Sequence, residues 1–193
     1  MTRNANGFPR LVIAALLLFV CVGASAPRPA SGVAQSAASP AVSPAAAGAV
    51  DVTGLVVRSG PVTIADFQRL PSETVVVTYQ AAGNSESHTF TGVRLWDALQ
   101  EVGLATARDE KNPTLTRYLV VTANDGYQVV LSVGEIDPNF GHAPILLAWA
   151  QDGQPLAGAD GPLRLVAPGD VKGGRYVHGI VRIDVRSVGS AAG

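Results

Sequence analysis

The stretch Ile145-Leu146-Leu147-Ala148-Trp149-Ala150-Gln151-Asp152-Gly153-Gln154-Pro155-Leu156, resumed at Gly161-Pro162-Leu163-Arg164-Leu165-Val166-Ala167-Pro168, decides how the chain is read. Ile145 to Ala150 is an apolar run of strand length, and Asp152-Gly153 is the kind of pair that closes a tight turn. Leu163 to Val166 is a second strand. Pro168 to Gly174 follows as a glycine-containing loop carrying Lys172, with Arg175 just after it. The last strand then runs from Tyr176 to Val185, alternating through Val177, Ile180 or Val181, Ile183 and Val185.

Upstream the same grammar repeats. Val52 to Arg58 reads as a strand stopped by Ser59-Gly60-Pro61. Thr63 opens a short helix over Ile64 to Leu70, with Asp66 as its capping-box acid and Pro71 as its stop. Glu73 to Tyr79, with Val75, Val76 and Val77 in succession, reads as a strand buried on both faces. A loop follows, Tyr79-Gln80-Ala81-Ala82-Gly83-Asn84, then a short strand over Ser87 to Phe90. A helix over Val93 to Val102 puts Leu95, Leu99 and Val102 on one face with Trp96 beside them, and Gly103 ends it. Ala105 to Pro113 is a polar loop. Leu115 to Thr122 and Tyr127 to Val133 form a hairpin around Asn124-Asp125-Gly126. Ser132 and Glu135 have capping-box spacing for a short helix near 133–137. There are no internal repeats and no heptads. Many short strands with three small helices give an α+β domain of mostly β content.

The chain has 193 residues, of which 47% are hydrophobic and 15% charged, enough for one domain with a full core once the N-terminal segments are set aside. A formal net charge of -1 and the lack of any Lys/Arg run argue against a nucleic-acid partner and a polybasic membrane patch. Arg3 and Arg10 precede an unbroken apolar run, Leu11 to Val22, and then small residues, Gly23 to Ala26: an export signal over 1–26. Cleavage after Ala24 or Ala26 fits, with Pro27 counting against the second. An uncleaved anchor stays open, although the run is short for a full span. So does a lipid on Cys21, although Val20 precedes it where a small residue is usual. Arg3 and Arg10 are not adjacent, so no twin-Arg signal is present. The expected address is the periplasm or the exterior, with membrane contact only through an uncleaved signal. Cys21, the sole cysteine, lies inside the signal, so the mature chain would have no disulfide and no thiolate. Residues 27–48, largely Ala, Ser, Pro and Gly, read as a disordered tether, 49–187 as the domain and 188–193 as a tail.

Recognised nucleotide-binding glycine patterns and the Gly-x-Ser-x-Gly elbow are absent. His88, His142 and His178 each stand alone, so no pair has metal-ligand spacing. The Pro168–Gly174 loop can converge backbone N–H groups, and Lys172 and Arg175 add charge, which suits a phosphate. An exposed connection with solvated charges accounts for the same residues.

From Val50 to Val185 the chain resembles the molybdopterin-binding domain of the sulfite oxidase family. Ala81-Ala82-Gly83-Asn84 is similar to the family's Cys-Ala-Gly-Asn, and Thr91-Gly92-Val93-x-Leu95 to its Gly-Val-x-Leu. The opening stretch, from Ile145 to Pro168, is the longest and most ordered likeness. Gly174-Arg175-Tyr176-Val177-His178 resembles the family's Lys-Ser-Val-Lys segment. The resemblance implies a mixed-sheet, mostly β fold with a pterin groove and oxygen or electron transfer at molybdenum. It implies ligand-binding roles for Ala81, Gly83, Asn84, Arg164, Lys172, Arg175 and His178. The departures are as specific. Ala81 stands where the family has its metal-binding Cys, Ser85 and Glu86 stand where basic residues often follow, and His178 and Gly179 replace Lys and a frequent Trp. A methyl group cannot coordinate a metal. The leading expectation is therefore a cofactor-free module for an anionic or pterin-like small ligand, with no metal bound. The alternatives are an active molybdenum oxidoreductase with a non-Cys metal site, and a structural domain that meets a protein partner in the envelope.

Overall fold

Period-two burial and β-branched residues build two sheets in this computed structural model, in which residues 48–189 are described. The export segment, the tether up to residue 47 and the tail from residue 190 lie outside the described residues. The first elements are β1 (Ala49–Gly54), β2 (Gly60–Thr63), α1 (Ile64–Phe67), β3 (Ser72–Ala81), β4 (Asn84–Arg94) and α2 (Leu95–Val102). They are followed by β5 (Arg117–Ala123), β6 (Gln128–Ser132), α3 (Val133–Ile136), β7 (Leu146–Gln151), β8 (Gln154–Pro155), β9 (Arg164–Val166) and β10 (Ile180–Ser187). One sheet has the order β2-β1-β10-β5-β6, mixed because β1 and β10 run parallel. The other has the order β3-β4-β7-β8, with β9 also pairing β7. One apolar cluster joins both sheets, through Leu119, Val121 and Ile183 of the first and Phe90, Leu147 and Leu165 of the second. The fold is α+β and mostly β, as the sequence indicates.

Several boundaries move, each for a local reason. β1 stops at Gly54 and does not run to Arg58. Gly54 sits at φ +84, where its missing Cβ avoids the carbonyl oxygen of Val185. Beyond it the backbone bonds across to Val185 O, Gly103 O and Val102 O in place of a ladder. Residues 60–63 form β2 against β1, where the sequence suggested only a turn. The first helix is shorter than expected, but its capping box forms, with Thr63 and Asp66 bonding each other's backbone N–H. β3 is half-exposed: only one face of it packs on the core, so alternation turns Val77 and Tyr79 inward while Val76 is 72% exposed. The Ser132–Glu135 capping box does not form. Glu135 instead turns to Arg175, 2.8 Å away.

The supposed loop after Tyr79 is the tip of a long hairpin. β3 and β4 pair without a slip from Ser72↔Val93 to Ala81↔Asn84. Ala82 at φ 47 and Gly83 at φ 86 make the two-residue turn, whose twist matches the flanking strands.

Candidate functional site

Hairpin parity sets one wall of the site. The register places Tyr79 opposite Glu86 and Val77 opposite His88, so Tyr79, Glu86, His88 and Phe90 share the inner face of β3 and β4. β9 supplies Arg164, aligned with Ala148 of β7. The loop before β10 forms the third wall, tied down where Gln80 N donates to Val171 O at 2.8 Å. Tyr176 stacks on Tyr79, with ring centroids 4.3 Å apart. These walls enclose a cavity of about 550 Å³, bordered by Tyr79, Ala81, Glu86, His88, Arg164, Lys172 and His178 among others.

Arg164 is the floor and is only 6% exposed. Its Nη1 donates to Gln151 Oε1 at 2.8 Å and its Nη2 to the Tyr79 hydroxyl at 3.2 Å. The guanidinium carbon lies 5.2 Å from the Phe90 ring centroid and 6.0 Å from that of Tyr176, within cation–π range. Its Nε has no partner. The other buried arginine, Arg117, has Glu110 at 2.7 Å, whereas Arg164 has no carboxylate in salt-bridge contact among the described residues. Burial pushes the Tyr79 hydroxyl's pKa up; the Arg164 charge opposes this, and the charge and hydrogen bond of Glu86 add to it. Burial, with Asp170 and Tyr79 nearby, pushes Tyr176 up to about 12. Both phenols are therefore neutral hydrogen-bonding groups at ordinary pH.

His88 occupies the opposite wall. Its Nδ1 lies 2.7 Å from Asp152 Oδ2 and 3.1 Å from Gln151 Nε2. One nitrogen cannot donate to the first and accept from the second. The Thr89 amide, and then His88, hold the Asp152 carboxyl below the usual carboxylate range, so Asp152 is the ionised acceptor. The assigned tautomer therefore carries its proton on Nδ1 and leaves Nε2 as an acceptor. That Nε2 is 3.6 Å from Glu86 Oε2.

Four of the residues singled out from sequence, Ala81, Arg164, Lys172 and His178, border the cavity. Gly83 and Asn84 close the hairpin turn and do not border it. Arg175, expected to be available to an anion, is corrected. It lies outside the cavity wall and is committed to Asp170 at 2.6 Å and Glu135 at 2.8 Å. The Asp170 hydrogen bonds, and then Glu135, raise its pKa against the opposing effect of burial, so the charge is fixed but already matched. His178 Nδ1 meets Asp160 Oδ1 at 2.6 Å, and His178 also borders a second cavity of about 290 Å³ with Asn124 and Tyr127. Sequence reading missed Tyr79, His88 and Gln151 as wall residues. The signal was there in the alternation Glu86, His88, Phe90, but it is read only once the hairpin is recognised.

Comparison with known proteins agrees with this architecture. The family model for the oxidoreductase molybdopterin binding domain matches residues 38–191. Mitochondrial sulfite oxidases of Rattus norvegicus and Mus musculus are each 30% identical over 160 residues, covering 67% of this chain. The chain spans only 27% of the length of those relatives. The crystal structure of the sulfane dehydrogenase SoxCD from Paracoccus pantotrophus superposes with a TM-score of 0.58 at 20% identity. That match covers 74% of this chain and 39% of the other, a likeness of fold. With the family model matching residues 38–191, which include all of the described domain, the chain belongs to the oxidoreductase molybdopterin binding domain family.

Proposed function

We propose that this domain is a small-ligand module of its family that binds an anion on Arg164, without a protein–metal bond. The observation that carries the reading is the buried guanidinium with no carboxylate partner. A charge taken out of water is costly unless it is paired, and a ligand anion entering the cavity would supply the pair. Lys172, exposed at the rim, adds a second positive charge without a packing constraint.

Residues 49–189 contain no cysteine, and Ala81 offers a methyl group at the hairpin tip. Among the described residues no group of three or more His, Cys, Asp or Glu could hold a metal ion. The donor set does not fit a protein-ligated molybdenum centre. An anionic group fits the Arg164 floor. His88, oriented by Asp152, presents an acceptor nitrogen to the same space, and Tyr79 presents a hydroxyl already tied to Arg164. These groups can bind and orient a ligand.

The proposed setting is outside the cytoplasm, supported by the apolar run from Leu11 to Val22; fractionation of cells expressing the full chain tests it. No helix among the described residues is long and apolar enough to cross a membrane. The function is tested by calorimetric titration with sulfate and phosphate, together with elemental analysis of chain purified from its native source. Saturable anion binding lost in Lys172→Ala and Arg164→Gln, with substoichiometric molybdenum, supports the proposal. One molybdenum per chain would reverse it in favour of the oxidoreductase reading.

A further inference from the structure

Glu86 is out of place on an anion-binding wall. It is the one carboxylate among the residues bordering the main cavity, facing Arg164, Lys172 and two histidines. Its position is fixed by register, since it pairs across the hairpin with Tyr79. It is not consumed structurally. Among the described residues its one ring-nitrogen contact is His88 Nε2 at 3.6 Å, too long for a hydrogen bond, and its side chain is 40% exposed. For a plain anion such a carboxylate is a liability, because like charges across a cavity repel.

Tyr79 stands beside both opposed charges. Its hydroxyl accepts from Arg164 Nη2 at 3.2 Å, and its Cα pairs with that of Glu86 across the hairpin. Arg164 and Glu86 therefore border the same cavity. One small molecule in that cavity can present an anionic group to the first and a protonated amine to the second. Arg164, buried in the cavity wall with no carboxylate in salt-bridge contact among the described residues, marks the anionic end independently of Glu86.

We propose that the ligand is zwitterionic, of the amino-acid class, its carboxylate held by Arg164 and Lys172 and its ammonium by Glu86. This rests on the anion-binding reading above and names the ligand class for the same cavity. Glu86 then acts as the selector: it repels a simple carboxylate and attracts one that carries an amine.

The test is an NMR titration of the full chain with three matched pairs: glycine against acetate, β-alanine against propionate, and 4-aminobutyrate against butyrate. Sulfate serves as a plain-anion control. At least one amino acid is expected to bind about fivefold or more tighter than its matched acid. In Glu86→Gln the two should cross, the amino acid weakening several-fold and the plain acid tightening. Glu86 is partly exposed on a hairpin, so the substitution leaves the core alone, and an unchanged melting curve confirms it. If acids and amino acids bind equally, or if Glu86→Gln moves both in the same direction, the zwitterion proposal is overturned while the anion site stands. If neither these ligands nor sulfate perturbs the resonances of the cavity wall, the anion site falls and takes the proposal with it.

Discussion

Replacing Arg164 with Met separates a binding residue from a structural one. The substitution removes two hydrogen bonds from a charged donor, about 1.5–3 kcal/mol each, and cation–π contact with Phe90 and Tyr176 worth about 1–2 kcal/mol. Against that, it removes a charge that is 6% exposed and has no carboxylate partner, an effective burden of several kcal/mol. Gln151 and Tyr79 both border the cavity, so water can take over their released bonds. The opposing contributions nearly cancel, and Arg164→Met should change the stability of the ligand-free chain by no more than about 1.5 kcal/mol. Arg117→Met is the control. That side chain is equally buried but meets Glu110 at 2.7 Å, so its removal breaks a largely buried ion pair and should cost about 3 kcal/mol. The assay is urea unfolding of both variants with and without sulfate. A ligand at a hundredfold excess over its Kd adds about 2.7 kcal/mol to the chain that binds it. Sulfate should therefore stabilise the unsubstituted chain and Arg117→Met, and leave Arg164→Met unmoved. If Arg164→Met loses more than about 3 kcal/mol while sulfate stabilises it as much as the unsubstituted chain, the guanidinium is a packing element and the reasoning fails.

Three further outcomes follow from the geometry. Gly92→Ala should destabilise by about 1–3 kcal/mol or more, read as a lower urea midpoint, because a Cβ at Gly92 would sit 2.2 Å from the carbonyl oxygen of Leu147 on the neighbouring strand. Arg175→Ala should cost about 1 kcal/mol, since its side chain is a third exposed, and should leave sulfate affinity unchanged because the residue faces Asp170 and Glu135 and not the cavity. Asp137 is buried, which pushes its carboxyl up, but the Asn139 amide, Thr114 and the Asn139 side chain hold it below the usual range on balance. A depressed folded-state pKa contributes stability that is complete above the unfolded value near 4 and is lost as pH falls through the folded value. Stability lost between about pH 4 and 2 should therefore be smaller in Asp137→Asn than in the unsubstituted chain, as measured by urea midpoints across that range.

Much of the fold can be read locally, because local physics decides it. The Thr63–Asp66 box, the stop at Gly103 and the turn at Asn124-Asp125-Gly126 depend on neighbours within a few residues, and the structure keeps all three. What was misread depends on distant partners. Three consecutive valines in β3 look doubly buried, yet strand alternation puts Val76 on the sheet face turned to solvent, with Thr74 and Thr78. Ala82 in the left-handed region hides the hairpin, since that turn type favours Asn or Gly there and Ala gives no hint of it. The same split runs through the site. Arg164 stands out as a charge inside an apolar run, and Lys172 as a cation in a glycine loop. Whether a cation is free is a tertiary fact. Arg175 looked as available as Lys172 in sequence, and only the folded positions of Asp170, five residues before it, and Glu135, forty residues upstream, show that it is spent.

The commitment of Arg175 bears on how the cavity can work. The loop from Pro168 to Gly174 could have been a mobile flap. It is instead fastened at three places: Arg175 holds Asp170, Gln80 N donates to Val171 O at 2.8 Å, and the Tyr127 hydroxyl donates to Gly174 O at 2.8 Å. Gly173 lies against Tyr79 so closely that a Cβ would fall 2.9 Å from the ring, and Tyr79 in turn stacks on Tyr176 and accepts from Arg164. A loop packed on the residue that orients the floor cation fixes wall and floor together. The ordering entropy of that wall is then met during folding and not on ligand entry, which lets a small ligand with few contacts bind at all. One arginine of the pair thus shapes the cavity by being unavailable to the ligand, and the other binds by being left without a partner.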